Sequence, residues 1–362
     1  MLAPVIDDLA YYLMPGRVKG GAAGHGTSPY RCIEEAVEAE RLGIRSGFLT
    51  ERWDLKDSPA LLGGSAAMTS RIELGTSPIV TTSRPALVTA SFAATMQATY
   101  GERFVLGLGR GVTENPGGQG LHPFGTSFQA FEDYVTIVKR LLRGETVTYK
   151  GPAGELDNMR LLDTHDGEPP EVWSCSLGGP VASRVAARCC DGLMLPPQLT
   201  PDAVRRAVTT FREERERQEL DPNGARVVAS VVTAMDMDEA KTLDLTAARF
   251  LTYAIGYDFS TNSYMKANGW DPELLKPVLD HPVIRNASMT SADQAYFRSQ
   301  LVEPAKLVPE EWMRTSCAIG SLDECLVQWK AFKDTGVDQI MLYGSNPWEN
   351  EKLIAAWRDS KA

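Results

Sequence analysis

The chain has 362 residues, of which 43% are hydrophobic and 23% are charged, the balance of an ordinary folded protein. Its 37 basic and 47 acidic residues give a net charge of −10, and no basic stripe is present, so no nucleic-acid partner is expected. This composition excludes disorder, collagen and small disulfide scaffolds. The length suits two average domains or one large α/β barrel with insertions.

The expected location follows from the cysteines and from the absence of targeting segments. The six cysteines show no CxxC and no metal-ligand spacing, and the four histidines are widely separated, so no metal site is predicted. The N-terminal residues contain no basic segment followed by an apolar one. The longest uncharged run, residues 85–101, is too short and too polar to span a membrane. We therefore expect a cytoplasmic protein that has reduced thiols and no membrane partner.

Short apolar runs alternate with longer amphipathic runs along the whole chain. Strands are predicted at 9–14, 47–50, 72–81, 104–108, 171–175, 192–195, 226–235 and 339–343. Helices are predicted at 29–42, from 58, at 85–100, around 131–142, at 180–190, at 201–219, at 322–335 and after the last strand. Eight alternating units favour an α/β fold, a (β/α)8 TIM barrel, over an open sheet.

The domain organisation predicted from this pattern is simple. Residues 1–362 form a single barrel domain, and a mostly helical insertion in the C-terminal half covers residues 238–311. In such barrels the functional groups lie at the carboxyl ends of the strands. The candidate site residues are therefore sought at those positions.

Two glycine-rich segments follow predicted strands. Residues 107–111 read Gly-Leu-Gly-Arg-Gly, which is either a tight turn or a backbone that approaches a flat ring, with Arg110 available to an anionic group. Residues 176–179 read Ser-Leu-Gly-Gly and precede a helix, so Ser176, Gly178 and Gly179 form either a simple loop or, slightly favoured, a phosphate site at a helix start.

Two further strand ends carry candidates. Glu51 and Arg52 are either a structural ion pair, favoured in isolation, or a catalytic carboxylate with its partner. Thr76, Ser77 and Pro78 fall inside a strand that should be central, where proline removes a ladder donor. Residues 76–78 are therefore a plain strand end or, as the sharper prediction, a bulge that a cis peptide could accompany.

Several of these segments together resemble one known family. Residues 75–85, which begin Gly-Thr-Ser-Pro-Ile-Val and end Ser-Arg-Pro, are similar to the bacterial-luciferase-like oxidoreductases. So are residues 95–111, which contain Gly-Glu-Arg-Phe-Val-Leu-Gly-Leu-Gly-Arg-Gly. Segments 186–192 and 318–338 support the resemblance, which extends over nearly the whole chain.

The resemblance implies a (β/α)8 barrel that binds coenzyme F420, a deazaflavin, or FMN. It places a ring-supporting bulge on residues 76–78, a phosphate loop on residues 176–179, and the carboxylate of strand two on Glu51. Arg110 and Asn115 would lie beside the cofactor. Many members have histidine where this chain has Arg52, and bacterial luciferases have cysteine where it has Gly109, so light emission is not expected.

The leading functional hypothesis is an F420-dependent oxidoreductase that moves a hydride between the deazaflavin and a small organic substrate. Arg52 would keep Glu51 ionised, so Glu51 would orient the substrate and Glu51→Gln would leave turnover largely intact. The alternative is an FMN-dependent two-component monooxygenase, and a third reading is a non-catalytic barrel. The resemblance and the apolar helices of the first half favour a homodimer.

Overall fold

The structure is a computed structural model that describes residues 2–15, 28–51, 56–111, 125–255, 258–285, 296 and 298–361. The strands in these ranges are β1 (Ile6–Tyr12), β2 (Ile44–Leu49), β3 (Glu73–Thr76), β4 (Ile79–Val80), β5 (Phe104–Gly109), β6 (Val147–Gly151), β7 (Gly154–Met159), β8 (Glu171–Cys175), β9 (Gly192–Leu195), β10 (Arg226–Met235), β11 (Cys317–Gly320) and β12 (Gln339–Tyr343).

Eight of these strands close into a parallel barrel in the order β12, β1, β2, β3, β5, β8, β9 and β10, and β10 pairs again with β12. The predicted barrel is confirmed, and the last four barrel strands have the predicted bounds. Two features were not predicted. The β6–β7 hairpin lies outside the barrel, and β11 extends the sheet along the C-terminal half of β10.

Helices surround the barrel because each buries one apolar face against it. Their bounds are α1 (Arg31–Arg41), α2 (Ser58–Met68), α3 (Ala86–Tyr100), α4 (Phe128–Leu142), α5 (Pro180–Cys189), α6 (Pro201–Arg217), α7 (Glu239–Leu245), α8 (Ala247–Ala254), α9 (Asp258–Asn268), α10 (Lys276–Leu279), α11 (Pro282–Arg285), α12 (Val302–Ala305), α13 (Glu310–Ser316), α14 (Leu322–Lys333) and α15 (Glu351–Asp359). The helices from α7 to α13 lie between β10 and β11 in the chain and form the insertion. No helix within the described ranges is both long and apolar enough to cross a bilayer.

The barrel interior is filled from its N-terminal end upward. At the start of the strands, Arg226 pairs with Glu73 at 2.8 Å and with Glu171 at 3.0 Å, and its guanidinium lies 4.6 Å from the centre of the Trp173 ring. The next layer is apolar and consists of Ala10, Phe48, Val105, Trp173, Met194, Val228 and Met341. Side chains close this end of the barrel, so the site must lie at the carboxyl ends of the strands.

The third barrel strand is interrupted where the sequence predicts it. Thr76 ends β3, the Ser77–Pro78 peptide is cis, and the chain resumes pairing with β5 in β4. The proline therefore lies in a turn, where its missing N–H group costs no ladder hydrogen bond.

Candidate functional site

The turn formed by residues 76–78 is tied to both neighbouring strands. The Thr76 hydroxyl donates to the Gly107 carbonyl at 2.7 Å, and the Ser77 N–H donates to the Leu49 carbonyl at 2.8 Å. The Glu51 N–H donates to the Pro78 carbonyl at 2.9 Å. Thr76, Ser77, Pro78 and Glu51 are thus brought together at the rim of the barrel.

Glycine at two positions of β5 allows this turn to lie against that strand. A Cβ atom at Gly107 would be 2.0 Å from the Thr76 carbonyl oxygen and 3.0 Å from the Cys175 sulfur. A Cβ atom at Gly109 would be 2.7 Å from the Pro78 ring. Because no side chain projects from either position, the turn packs directly against β5 at the open end of the barrel. A turn held this closely suits a planar ring.

The carboxylate of Glu51 is fully engaged by other parts of the protein. Its Oε1 accepts from Nε and Nη2 of Arg84, at 2.9 and 2.6 Å, and its Oε2 accepts from the Ser58 N–H at 2.6 Å. Arg84 also pairs with Asp57, the N-cap residue of α2, at 2.8 Å. Burial alone would lower the pKa of Arg84, but its two carboxylate partners outweigh burial, so this pKa is raised.

The Glu51 carboxylate is paired with Arg84, a partner that the sequence pattern did not indicate, and the predicted pair with Arg52 stays a prediction. Arg84 supplies the guanidinium from the segment after β4, 33 residues along the chain. Arg52 and Asn115 lie outside the described residues. The geometry gives Glu51 a positioning role, since it anchors the start of α2 and holds Arg84 beside the turn.

Arg110 follows β5 directly and is half-buried. Its guanidinium lies 4.6 Å from the centre of the Phe128 ring and donates to the Thr126 carbonyl. Burial lowers the pKa of this side chain, although an arginine remains charged at neutral pH. Arg110 is thus a positive group held near the surface formed by Gly109 and Pro78.

The segment 176–179 connects β8 to the start of α5. Gly178 has a φ of +70°, which favours glycine, and its N–H donates to the Ser176 hydroxyl oxygen at 3.3 Å. Gly179 caps α5, and a Cβ atom there would meet nothing within 4 Å. The first turn of α5 contains no acidic residue, so its N–H groups and the Ser176 hydroxyl suit a phosphate.

A hydrogen-bonded group of tyrosines lies across the mouth from the glycines. Tyr12, at the end of β1, donates to the Thr50 hydroxyl at 2.7 Å, and Thr50 donates to the Ser77 carbonyl. The Tyr12 ring lies 4.3 Å from the ring of Tyr343, at the end of β12.

Arg249 of α8 completes this group. It donates to the hydroxyls of both Tyr253 and Tyr343, the first at 3.1 Å, and these two hydroxyls are 2.9 Å apart. Two hydrogen-bonded groups, joined by the ring contact of Tyr12 with Tyr343, therefore link the cis-proline turn to the insertion.

Comparison with known proteins identifies the family. Residues 11–339 match the model of the luciferase-like monooxygenase family. The chain belongs to that family.

Relatives of this luciferase-like protein include an F420-dependent glucose-6-phosphate dehydrogenase from Nakamurella multipartita, 30% identical over 218 residues. The match covers 55% of this chain and 63% of that relative, so it spans less than two thirds of the relative's length.

Two solved structures share the luciferase-like fold across nearly the whole chain. The coenzyme F420-dependent tetrahydromethanopterin reductase from Methanopyrus kandleri superposes with a TM-score of 0.74 at 18% identity, covering 97% of this chain and 96% of that one. An F420-dependent secondary alcohol dehydrogenase, in complex with an F420-acetone adduct, superposes with a TM-score of 0.72 at 18% identity, covering 98% and 99%.

Sequence reasoning about this luciferase-like chain missed four residues of the rim. Arg84 lay inside the Ser-Arg-Pro motif but was not given a role. Tyr343 ends the last strand, so the rule that selected Glu51 after the second strand also points to it. Tyr253 and Arg249 lie in the insertion, where the sequence pattern gives no relation to the strand ends.

Proposed function

We propose that this luciferase-like protein is an F420-dependent oxidoreductase that transfers a hydride between the deazaflavin and a small organic substrate. The observation that carries the proposal is the turn at Ser77–Pro78, packed against Gly107 and Gly109 at the open end of the barrel. Such a closely packed turn suits a planar ring. The choice of deazaflavin rests on the N. multipartita relative, which carries that name.

The described residues fit the cofactor in two places. Thr76, Ser77 and Pro78 would support the ring, and Arg110 would balance negative charge nearby. Ser176, Gly178 and Gly179, with the first N–H groups of α5, would hold a phosphate. When bound, the deazaflavin supplies hydride chemistry at its central ring carbon.

The role proposed for Glu51 is positioning rather than proton transfer. Both of its oxygens already accept hydrogen bonds, and only 4% of the residue is exposed. The carboxylate holds Arg84 and the start of α2 beside the turn, which keeps the ring-supporting surface in place. The substrate oxygen must therefore find its hydrogen-bond donor elsewhere.

The experiment that tests the proposal is a pair of titrations of the apo-protein, with F420 and with FMN, followed by absorbance and fluorescence. We expect tight binding of F420 and weak binding of FMN. The reverse preference would contradict the proposal and favour the monooxygenase alternative. Failure to bind either cofactor would favour a non-catalytic barrel.

The phosphate site is tested by a second comparison. Ser176→Ala should weaken the binding of F420 but not of the phosphate-free deazaflavin nucleoside, because only F420 carries the phosphate. Ser360→Ala, at the end of α15, is the matched control and should change neither affinity. Equal losses for both ligands in Ser176→Ala would show that Ser176 acts on the ring or on the fold instead.

A further inference from the structure

Arg249, Tyr253 and Tyr343 form a hydrogen-bonded triangle in which one phenolic proton has no acceptor. Arg249 donates to both phenolic oxygens and, having no acceptor, takes no proton from either phenol. Between the two hydroxyls only one hydrogen bond can form, because one must donate and the other accept. One phenolic proton therefore points out of the triangle.

Burial indicates which of the two phenols has the outward proton. Tyr343 is 2% exposed, whereas Tyr253 is half-buried. Burial raises the pKa of Tyr343 well above its ordinary value, despite the nearby charge of Arg249, so Tyr343 remains a donor at neutral pH. With Tyr343 donating to Tyr253, the outward proton belongs to Tyr253.

Arg249 is the positive group that can stabilise a phenolate in the triangle. Arg298 donates to Asp244 at 2.9 Å, and both residues are less than a tenth exposed, so this pair is neutral overall. Arg249 adds a positive charge in contact with both phenols and lies 5.2 Å from the Tyr253 ring and 5.3 Å from the Tyr343 ring. A hydroxyl that accepts from an arginine and from a second phenol is a stronger donor through hydrogen-bond cooperativity.

The triangle also lies next to the proposed cofactor surface. The Tyr343 ring lies against the Tyr12 ring, with the two planes tilted by 38°. Tyr12 is linked through Thr50 to the carbonyl of Ser77 in the cis-proline turn. Tyr253 is therefore connected, through Tyr343 and Tyr12, to the turn on which the proposed ring would lie.

We propose that Tyr253 donates its hydroxyl proton to the oxygen of an alcohol or carbonyl substrate, and that Tyr343 and Arg249 position it. The proposal rests on the proposed function for its hydride. In the reducing direction the carbonyl carbon gains a hydride from the reduced deazaflavin, the C=O π bond breaks, and the oxygen takes the Tyr253 proton. The phenolate is stabilised by Arg249 and regains a proton from solvent, and oxidation is the reverse.

The first test uses turnover by the cofactor-loaded protein, with oxidised F420 and small secondary alcohols such as propan-2-ol. Tyr253→Phe should lower kcat by about 10²–10³-fold, the usual effect of removing one such donor, and leave the affinity for F420 unchanged. Tyr264→Phe is the matched control, because Tyr264 is fully buried beside Tyr253, 5.8 Å between ring centres, and donates to the Pro197 carbonyl instead. Its kcat should stay within a few-fold of wild type.

Tyr343→Phe tests the positioning role separately. Because Tyr343 positions the Tyr253 hydroxyl, its loss should lower kcat for propan-2-ol while KM and the affinity for F420 stay within a few-fold of wild type. A general structural defect would also raise KM and weaken F420 binding.

The second test needs no cofactor. The probe is 4-nitrophenol, whose ionised form has an oxygen anion that can accept from Tyr253 and absorbs visible light. Wild type and Tyr264→Phe should bind the phenolate with equal affinity, and Tyr253→Phe should bind it at least 5-fold more weakly.

The two tests separate the inference from the proposed function. If F420 does not bind but wild type still binds 4-nitrophenolate more tightly than Tyr253→Phe does, the F420 function is wrong and the donor site stands. Where F420 binds and wild type turns over, equal turnover in Tyr253→Phe and Tyr264→Phe overturns the inference. So does equal phenolate affinity in wild type and Tyr253→Phe.

Discussion

Glu35 makes the stability of this protein depend on pH in a direction unusual for a carboxylate. The residue is fully buried on α1, accepts from the Met14 N–H at 2.8 Å and from Arg31 at 3.3 Å. Desolvation raises its pKa from 4.5 to about 7, and these two hydrogen bonds offset burial only in part. The folded protein therefore binds this proton more tightly than the unfolded chain does.

The sign and size of the effect follow from proton linkage. The contribution of protonated Glu35 is fully present below pH 4.5 and is lost as the pH rises through about 7. At 1.36 kcal/mol for each pKa unit, the whole interval corresponds to about 3 kcal/mol of unfolding free energy. Most of that change falls between pH 5 and pH 8.

The perturbation that isolates this effect is Glu35→Gln, which keeps an oxygen for the Met14 N–H but does not ionise. Urea unfolding, followed by tryptophan fluorescence at pH 5, 6, 7 and 8, measures it in wild type and variant. Between pH 5 and pH 8, the unfolding free energy of wild type should fall by about 2 to 3 kcal/mol relative to that of the variant. Glu34→Gln, an exposed neighbour on the same helix, should run parallel to wild type. Parallel curves for wild type and Glu35→Gln would refute the reasoning.

Three further predictions concern the rim and the surface. Glu51→Gln breaks an ion pair whose carboxylate is buried, so the unfolding free energy, measured by urea unfolding, should fall by about 2 kcal/mol or more. Asp57→Asn removes an exposed carboxylate and should lower it by under about 1 kcal/mol. Equal losses in the two variants would contradict this. Gly107→Ala forces β3 away from β5, so it should both destabilise the fold and weaken F420 binding, and a stable variant with unchanged affinity would show that the close approach is not needed. We propose a homodimer through α2 and α3, because these two helices contain no charged residue. Light scattering should then show a dimer. Val88→Lys, at an exposed position of α3, should convert it to a monomer, whereas Val327→Lys, at an exposed position of α14, should not.

The barrel could be predicted because its strands are continuous apolar runs, which a parallel sheet buried on both faces requires. The β6–β7 hairpin was missed because its strands are mostly polar and exposed, so they lack the hydrophobic signal. The edge strand β11 was missed because it has 4 residues and directly follows a helix. The pattern of apolar residues along the sequence therefore predicts a strand only where the strand is buried.

The candidate site was predictable only in part, for a related reason. Positions at strand ends, such as Glu51 and Ser77, follow from the order of elements alone. Their partners do not, because the contact between Glu51 and Arg84 depends on where the chain goes after the interrupted third strand. The pairing of Tyr253 with Tyr343 joins residues 90 positions apart and depends on how the insertion folds over the barrel.

The ion pairs at the closed end of the barrel would fix the order in which the molecules of the proposed reaction bind. Since Arg226, Glu73 and Glu171 close that end, the proposed cofactor and its substrate would both enter through the open end. The molecule that binds deeper then has to bind first and leave last. If the proposed ring lies against the Ser77–Pro78 turn, that molecule is the cofactor, and steady-state kinetics should show a compulsory-order ternary complex in which excess substrate slows release of the spent cofactor.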